Sequence, residues 1–197
     1  MMKGFLSIVS ILMVMMVASC SNTDVEWKGS DIRGVMPDLQ FELTSESGLS
    51  VNQEDFLGRA TLMFFGFTNC PDICPGTLQE LARAIEALPD EQQDEVQVLF
   101  VSVDPSRDTP EKLKSYTDFF GPQITGLTGS DDQLSDLVKR MRATYGYGEA
   151  DENGNYAVSH SSAIYGFDAA GEAQVLLRGD QSVSDLTHDI QLLLQDS

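Results

Sequence analysis

Residues 60–77 read ATLMFFGFTNCPDICPGT. The first eight are a nearly continuous apolar run, the pattern of a strand buried on both faces of a sheet. The run gives way to two cysteines, Cys70 and Cys74, each followed by a proline. The continuation, PGTLQELARAIEALP, sets Leu78, Leu81, Ala82, Ile85 and Leu88 on one helical face, and Pro89 ends it. A buried strand therefore hands over to an amphipathic helix through a cysteine pair.

Outward from this unit the pattern alternates. VQVLFVSV (96–103) is a second buried strand, and DPSRDTP is a loop. Pro110 then opens the helix PEKLKSYTDFF, where a missing N–H does no harm. A short strand around ITGLT follows, and Ser130 is placed to cap the helix DDQLSDLVKRMRATY. SSAIYGFD and EAQVLLRG, joined by AAG, form a hairpin, and a last helix from about Ser182 buries Leu186, Ile190 and Leu193. Upstream, PDLQFELT alternates apolar and polar residues as an entering strand does. Strands alternating with helices predict an α/β fold, a three-layer sandwich whose mixed central sheet is flanked by helices. With the cysteine pair at a strand-to-helix turn, the layout is thioredoxin-like.

The N-terminus belongs to a different category. MMKGFLSIVSILMVMMVASC has one early cation, Lys3, and an apolar run from Phe5 to Ala18. That run is short for a membrane span, which takes about 20 residues, and fits the core of a secretory signal. VASC resembles a bacterial lipobox, which makes Cys20 the acylated first residue of the mature protein. The expected organisation is a lipoprotein signal peptide over 1–19, a tether over 20–36 and a folded domain over 37–197. The expected location is the bacterial cell envelope, exported and tethered to a membrane by the lipid, facing the periplasm or the exterior.

Charge narrows the partners. The chain has 31 acidic and 12 basic side chains, a net −19, and losing Lys3 with the signal makes it −20. Nucleic acid and anionic membrane surfaces are excluded as partners, while a basic protein is permitted.

Only Cys20, Cys70 and Cys74 are present, and an oxidising compartment turns unprotected thiols into disulfides. Spacing i, i+4 suits a shared metal and, with adjustment, a disulfide. A helix N-terminus lowers a thiol pKa, so reactive sulfur is expected at an exposed turn. Three readings follow. A structural disulfide here closes a very small loop and stabilises little. A dithiol oxidoreductase normally has the tighter C-x-x-C spacing. A metal site uses soft thiolates, which suit Cu(I), with one imidazole to complete it. His188 sits away from the buried stripe of the last helix, whereas His160 ends the loop before SSAIYGFD. In a thioredoxin-like fold that loop lies against the cysteine turn, where oxidoreductases keep a cis-proline, and no proline follows Pro122 here.

FFGFTNCPDICPGTL, VLFVSVDPSRDTPE, ITGLTGS and SHSSAIYGFD together resemble the Sco/SenC copper chaperones, over most of residues 37–195. Those are membrane-tethered thioredoxin-like proteins that help assemble the dinuclear copper centre of cytochrome c oxidase. The resemblance implies Cys70, Cys74 and His160 as copper ligands, for Cu(I) and also Cu(II), with Cys70 and Cys74 able to form a redox disulfide. It implies as partners the copper-receiving subunit of the oxidase and a copper donor protein. The chain is then a metallochaperone and not an enzyme. The alternative is a thiol–disulfide reductase that keeps the oxidase cysteines reduced, with Cys70 attacking.

The sequence departs from the family at Ser159, where an aspartate usually precedes the histidine. Asp72 matches the CPD motif without a ligand role, and Asp104 and Arg107 are expected to hold their loop. Met36, Met63 and Met141 are scattered in sequence and form no methionine track. Gly146, Gly148 and Gly154 predict a mobile loop over 145–159 that lets His160 swing in and out.

Overall fold

The computed structural model describes residues 26–195. The expected signal segment, the expected acylation site Cys20 and the expected tether up to residue 25 lie outside the described residues. The strands are β1 (Ser30–Asp31), β2 (Glu42–Ser45), β3 (Ser50–Asn52), β4 (Ala60–Gly66), β5 (Val96–Ser102), β6 (Ile124–Thr128), β7 (Tyr145–Tyr147), β8 (Val158–His160), β9 (Ala163–Phe167) and β10 (Ala173–Arg178). The helices are α1 (Ile73–Glu86), α2 (Asp90–Gln93), α3 (Pro110–Thr117), α4 (Asp131–Arg140) and α5 (Val183–Gln195).

The main sheet runs β1-β10-β9-β4-β5-β6-β2-β3. At its centre β4, β5 and β6 are parallel, with Ala60 opposite Val96 and Gly66 opposite Ser102. The flanking pairs are antiparallel, including the expected β9–β10 hairpin, so the sheet is mixed. Every residue of β4 and β5 is buried, which is why neither strand shows a polar face in the sequence. Successive side chains of β4 enter opposite cores. Leu62 and Phe64 pack with Leu78, Leu81 and Ile85 of α1 and with Leu186, Ile190 and Leu193 of α5. Met63 and Phe65 pack with Leu134, Leu137 and Val138 of α4. Helices thus cover both faces of a mixed sheet, the α/β sandwich that the alternation predicts.

Three expectations are corrected. The tether over 20–36 joins the fold from Lys28 onward. Ser30 and Asp31 pair with β10, Ile32 is buried, and the N–H groups of Lys28 and Gly29 donate to the buried Asp189 carboxylate at 2.8 and 2.7 Å. A two-residue strand is too short to show periodicity. The entering strand starts at Glu42, not Pro37. Leu39 and Phe41 are buried, but their N–H groups go to the Gly171 carbonyl and the Gln53 side chain. Finally, residues 145–159 are loop only over 148–157, and both ends are strand. β7 and β8 form a separate antiparallel ribbon with Tyr145 opposite His160.

Candidate metal centre

The centre forms where β4 ends. A Cβ on Gly66 would lie 2.5 Å from the Phe100 ring and 2.9 Å from Cys74 Sγ. A residue without a side chain is what lets α1 bring its first turn down onto the strand end. Pro75, third in the helix, is tolerated because first-turn N–H groups have no intrahelical partner. Cys74 is fully buried on the inner face of this turn, and Cys70, in the preceding loop, is half-buried.

The loop is held from the side by Asp108, a fully buried carboxylate. It accepts from Thr68 N–H at 2.8 Å, Thr68 Oγ1 at 2.5 Å, Ser102 Oγ at 2.7 Å and Lys112 Nζ at 3.3 Å. Lys112 also donates to Asn69 Oδ1 at 2.9 Å. Sequence reasoning picked out Asp104 and Arg107 in this segment and missed Asp108. An Asp before a helix-opening Thr-Pro reads as ordinary turn chemistry, with no mark of a partner 40 residues away.

The half-site formed by Cys70 in the loop and Cys74 on α1 is completed by His160 at the end of β8. Its Nε2 lies 3.3 Å from Cys74 Sγ, and its Nδ1 lies 3.0 Å from the Ser161 carbonyl. A carbonyl only accepts, so Nδ1 carries the proton and the Nε2 lone pair faces the sulfur. The Ser161 carbonyl therefore orients the ring, and Ser159 donates to the Gly146 carbonyl at 3.3 Å. Phe64 and Phe67 meet the imidazole edge-on at 5.9 and 5.8 Å between centroids.

The structure brings Cys70, Cys74 and His160 together, with their ligand atoms within 4.8 Å of one another. Both thiols are free, and the Cys74 N–H points to Cys70 Sγ at 3.3 Å. Burial pushes the Cys74 thiol well up, reinforced by its hydrogen bond with Cys70. This corrects the expectation of a lowered thiol, since at Cys74 desolvation outweighs the helix terminus. Two soft sulfurs and one imidazole nitrogen are the donor set for a low-coordinate soft cation. His188 is elsewhere, on α5, with Nδ1 3.0 Å from Asp189 Oδ1.

The ribbon that carries His160 is anchored by the DPSRD loop. Asp104 is fully buried, pairs with Arg107 and accepts from Tyr156 Oη at 2.6 Å. The Arg107 guanidinium lies 3.9 Å over the Tyr156 ring and donates to the Tyr156 carbonyl at 3.1 Å. Tyr147 Oη adds a bond to the Val103 carbonyl at 2.5 Å. Asp104 and Arg107 hold structure, as expected, and what they hold is the imidazole-bearing ribbon. Met63 and Met141 are core residues with Met36 packed against them, on the face away from α1.

Comparison with known proteins agrees with this architecture. The family model described as SCO1/SenC matches residues 35–195. An SCO2-like protein of Rickettsia conorii is 39% identical over 134 residues, 67% of this chain and 64% of that protein, so the chain spans less than two thirds of that relative's length. The copper-bound crystal structure of Arabidopsis thaliana ScoI superposes with a TM-score of 0.75 at 31% identity, covering 81% of this chain and 99% of that one. The solution structure of apo Sco1 from Thermus thermophilus gives 0.76 at 35% identity, covering 86% and 98%. With its mixed sheet, its cysteine turn and a match over nearly the whole described chain, the protein belongs to the SCO1/SenC family.

Proposed function

We propose that the chain binds one copper ion through Cys70 Sγ, Cys74 Sγ and His160 Nε2 and delivers it to the dinuclear copper centre of cytochrome c oxidase. The observation that carries this reading is the convergence of two free thiols with an imidazole lone pair already turned toward the sulfur. Copper-bound relatives of the same fold support it. The ion is cargo: three donors, one of them on a separate ribbon, leave it open on one side for transfer to other donors. Cu(I) suits the two thiolates, and Cu(II) is a second state the site can carry. Thiol–disulfide exchange with a disulfide of a partner protein, which takes up the two electrons and two protons and leaves as a dithiol, joins Cys70 to Cys74, removes both sulfur ligands and sets the metal free. An acylated Cys20 holds the domain at a membrane of the cell envelope, near a membrane-bound client.

A second reading, reduction of the client's cysteines, is favoured by one feature, the half-exposed Cys70 beside a buried partner thiol. An anaerobic Cu(I) competition titration of the reduced protein against a chromogenic chelator separates the two. One copper per chain, with affinity falling by about a hundredfold or more in His160→Ala, is expected from loss of one of three ligands. Weak binding that is indifferent to His160 would overturn the chaperone and leave the reductase.

A further inference from the structure

Beside the metal centre lies a groove of about 770 Å³ between the start of α1 and the ends of β9 and β10. Ile73, Gly76, Ser161, Ala163 and Leu177 are among its walls. Two features of this groove are costly for a folded domain and unexplained by its packing. Ile73 is 56% exposed, directly beside Cys74. Gly76 stands inside α1, where glycine weakens a helix, and a Cβ there would meet nothing within 4 Å. Neither backbone conformation nor crowding calls for glycine at 76. Its missing side chain keeps the groove open.

The rim has a sign. Asp72, Glu80 and Asp180 line it; Glu80 is paired with Arg83 and Asp180 with Arg178, each at 3.0 Å, which leaves the rim with a net negative charge centred on Asp72. Asp72 makes no side-chain bond to its helix start. An aliphatic floor with an acidic rim fits one kind of occupant. We infer that the groove docks an extended segment of the copper-receiving partner, in which an aliphatic side chain is flanked by lysine or arginine. This deepens the copper-delivery reading and rests on it. Ile73 neighbours Cys74 and Ser161 follows His160, so a segment seated there brings the partner's adjacent ligands alongside both halves of the centre. The acidic charge of the chain draws such a segment in.

The test uses the full-length chain in detergent and two fluorescein-labelled peptides, identical except that a central leucine is flanked by lysines in one and by glutamates in the other. Fluorescence anisotropy is expected to show the lysine peptide binding, weakening from about 0.05 M to about 0.5 M salt as screening shortens the reach of the rim charges, and the glutamate peptide not binding. Gly76→Phe fills the groove from a position with room for the side chain and should weaken lysine-peptide binding by about tenfold or more. The pair Glu80→Lys and Asp180→Lys should do the same and admit the glutamate peptide. Cu(I) titration and circular dichroism of the variants should match the parent. Equal binding of both peptides, no binding, or unchanged binding to Gly76→Phe overturns the docking site. A parent chain that docks the lysine peptide but takes no copper overturns delivery and leaves the groove standing as a docking site.

Discussion

At the residue scale, the two cysteines are chemically unequal although the sequence presents them alike. Cys74 is sealed on the buried face of α1, and its thiol is pushed up by desolvation, so it keeps its proton through neutral pH. Cys70 is half-buried and reachable. Thiolate, not thiol, reacts with alkylating reagents, so in the metal-free reduced protein iodoacetamide is expected to modify Cys70 faster than Cys74 by roughly tenfold or more at pH 7. Cys74 should catch up only as the pH rises far above the ordinary thiol range. Timed quenching and peptide mass spectrometry read both rates, and equal rates would contradict the burial order. Gly66 offers a second test. In Gly66→Ala the new methyl would press on the Phe100 ring and on Cys74 Sγ at 2.5 and 2.9 Å. Overpacking of this kind costs about 1–3 kcal/mol, so denaturant unfolding should show that loss, together with weaker Cu(I) binding from a displaced sulfur. Retained stability and affinity would mean that the strand end yields without moving Cys74.

At the scale of elements, legibility tracked the length of the pattern. β4, β5 and α1 could be read because seven or more residues repeat one burial pattern. The capping box that starts α4, from Ser130 and Gln133, could be read from its first residue. The β7–β8 ribbon could not, because two three-residue strands carry no usable period and their glycines read as a loop. What fixes the ribbon is tertiary: the buried Asp104, its Arg107 and the Tyr156 hydroxyl. The site shows the same division. The three side chains that converge, Cys70, Cys74 and His160, were legible through motif resemblance, while the Ser161 carbonyl that orients His160 was not, since any residue offers a carbonyl. Tyr156→Phe removes one donor from Asp104 while leaving the ring under Arg107. A hydrogen bond to a charged group is worth about 1.5–3 kcal/mol, so amides across 145–148 and 157–161 should exchange faster while those of β4 and β5 stay unchanged. Cu(I) affinity should drop with the ribbon's order. Unchanged exchange in the ribbon would show that Arg107 alone suffices.

At the scale of the molecule, charge and the N-terminal arm act together. The arm pairs with the β10 edge and is held by Asp189 of α5, covering backbone groups that an exposed sheet edge would present to other chains. Its attachment was illegible in the sequence because the carboxylate that holds it lies 160 residues downstream. The net charge of −19, by contrast, is plain in the composition, and its consequence for stability can be decided by magnitude. Exposed ion pairs such as Lys114–Asp118 and Arg178–Asp180 are worth about 0–1 kcal/mol each and weaken with salt. Repulsion among the excess acids acts over the whole surface and also weakens with salt, as the screening length falls from about 30 Å at 0.01 M to about 3 Å at 1 M. With acids outnumbering bases by more than two to one, relief of repulsion outweighs loss of pairs. The melting temperature of the metal-free reduced protein should therefore rise with sodium chloride, and a net gain of about 1 kcal/mol corresponds to about 2–4 °C for a chain of this size. A flat or falling curve would mean that the surface ion pairs, despite their exposure, hold as much energy as the unpaired acids cost.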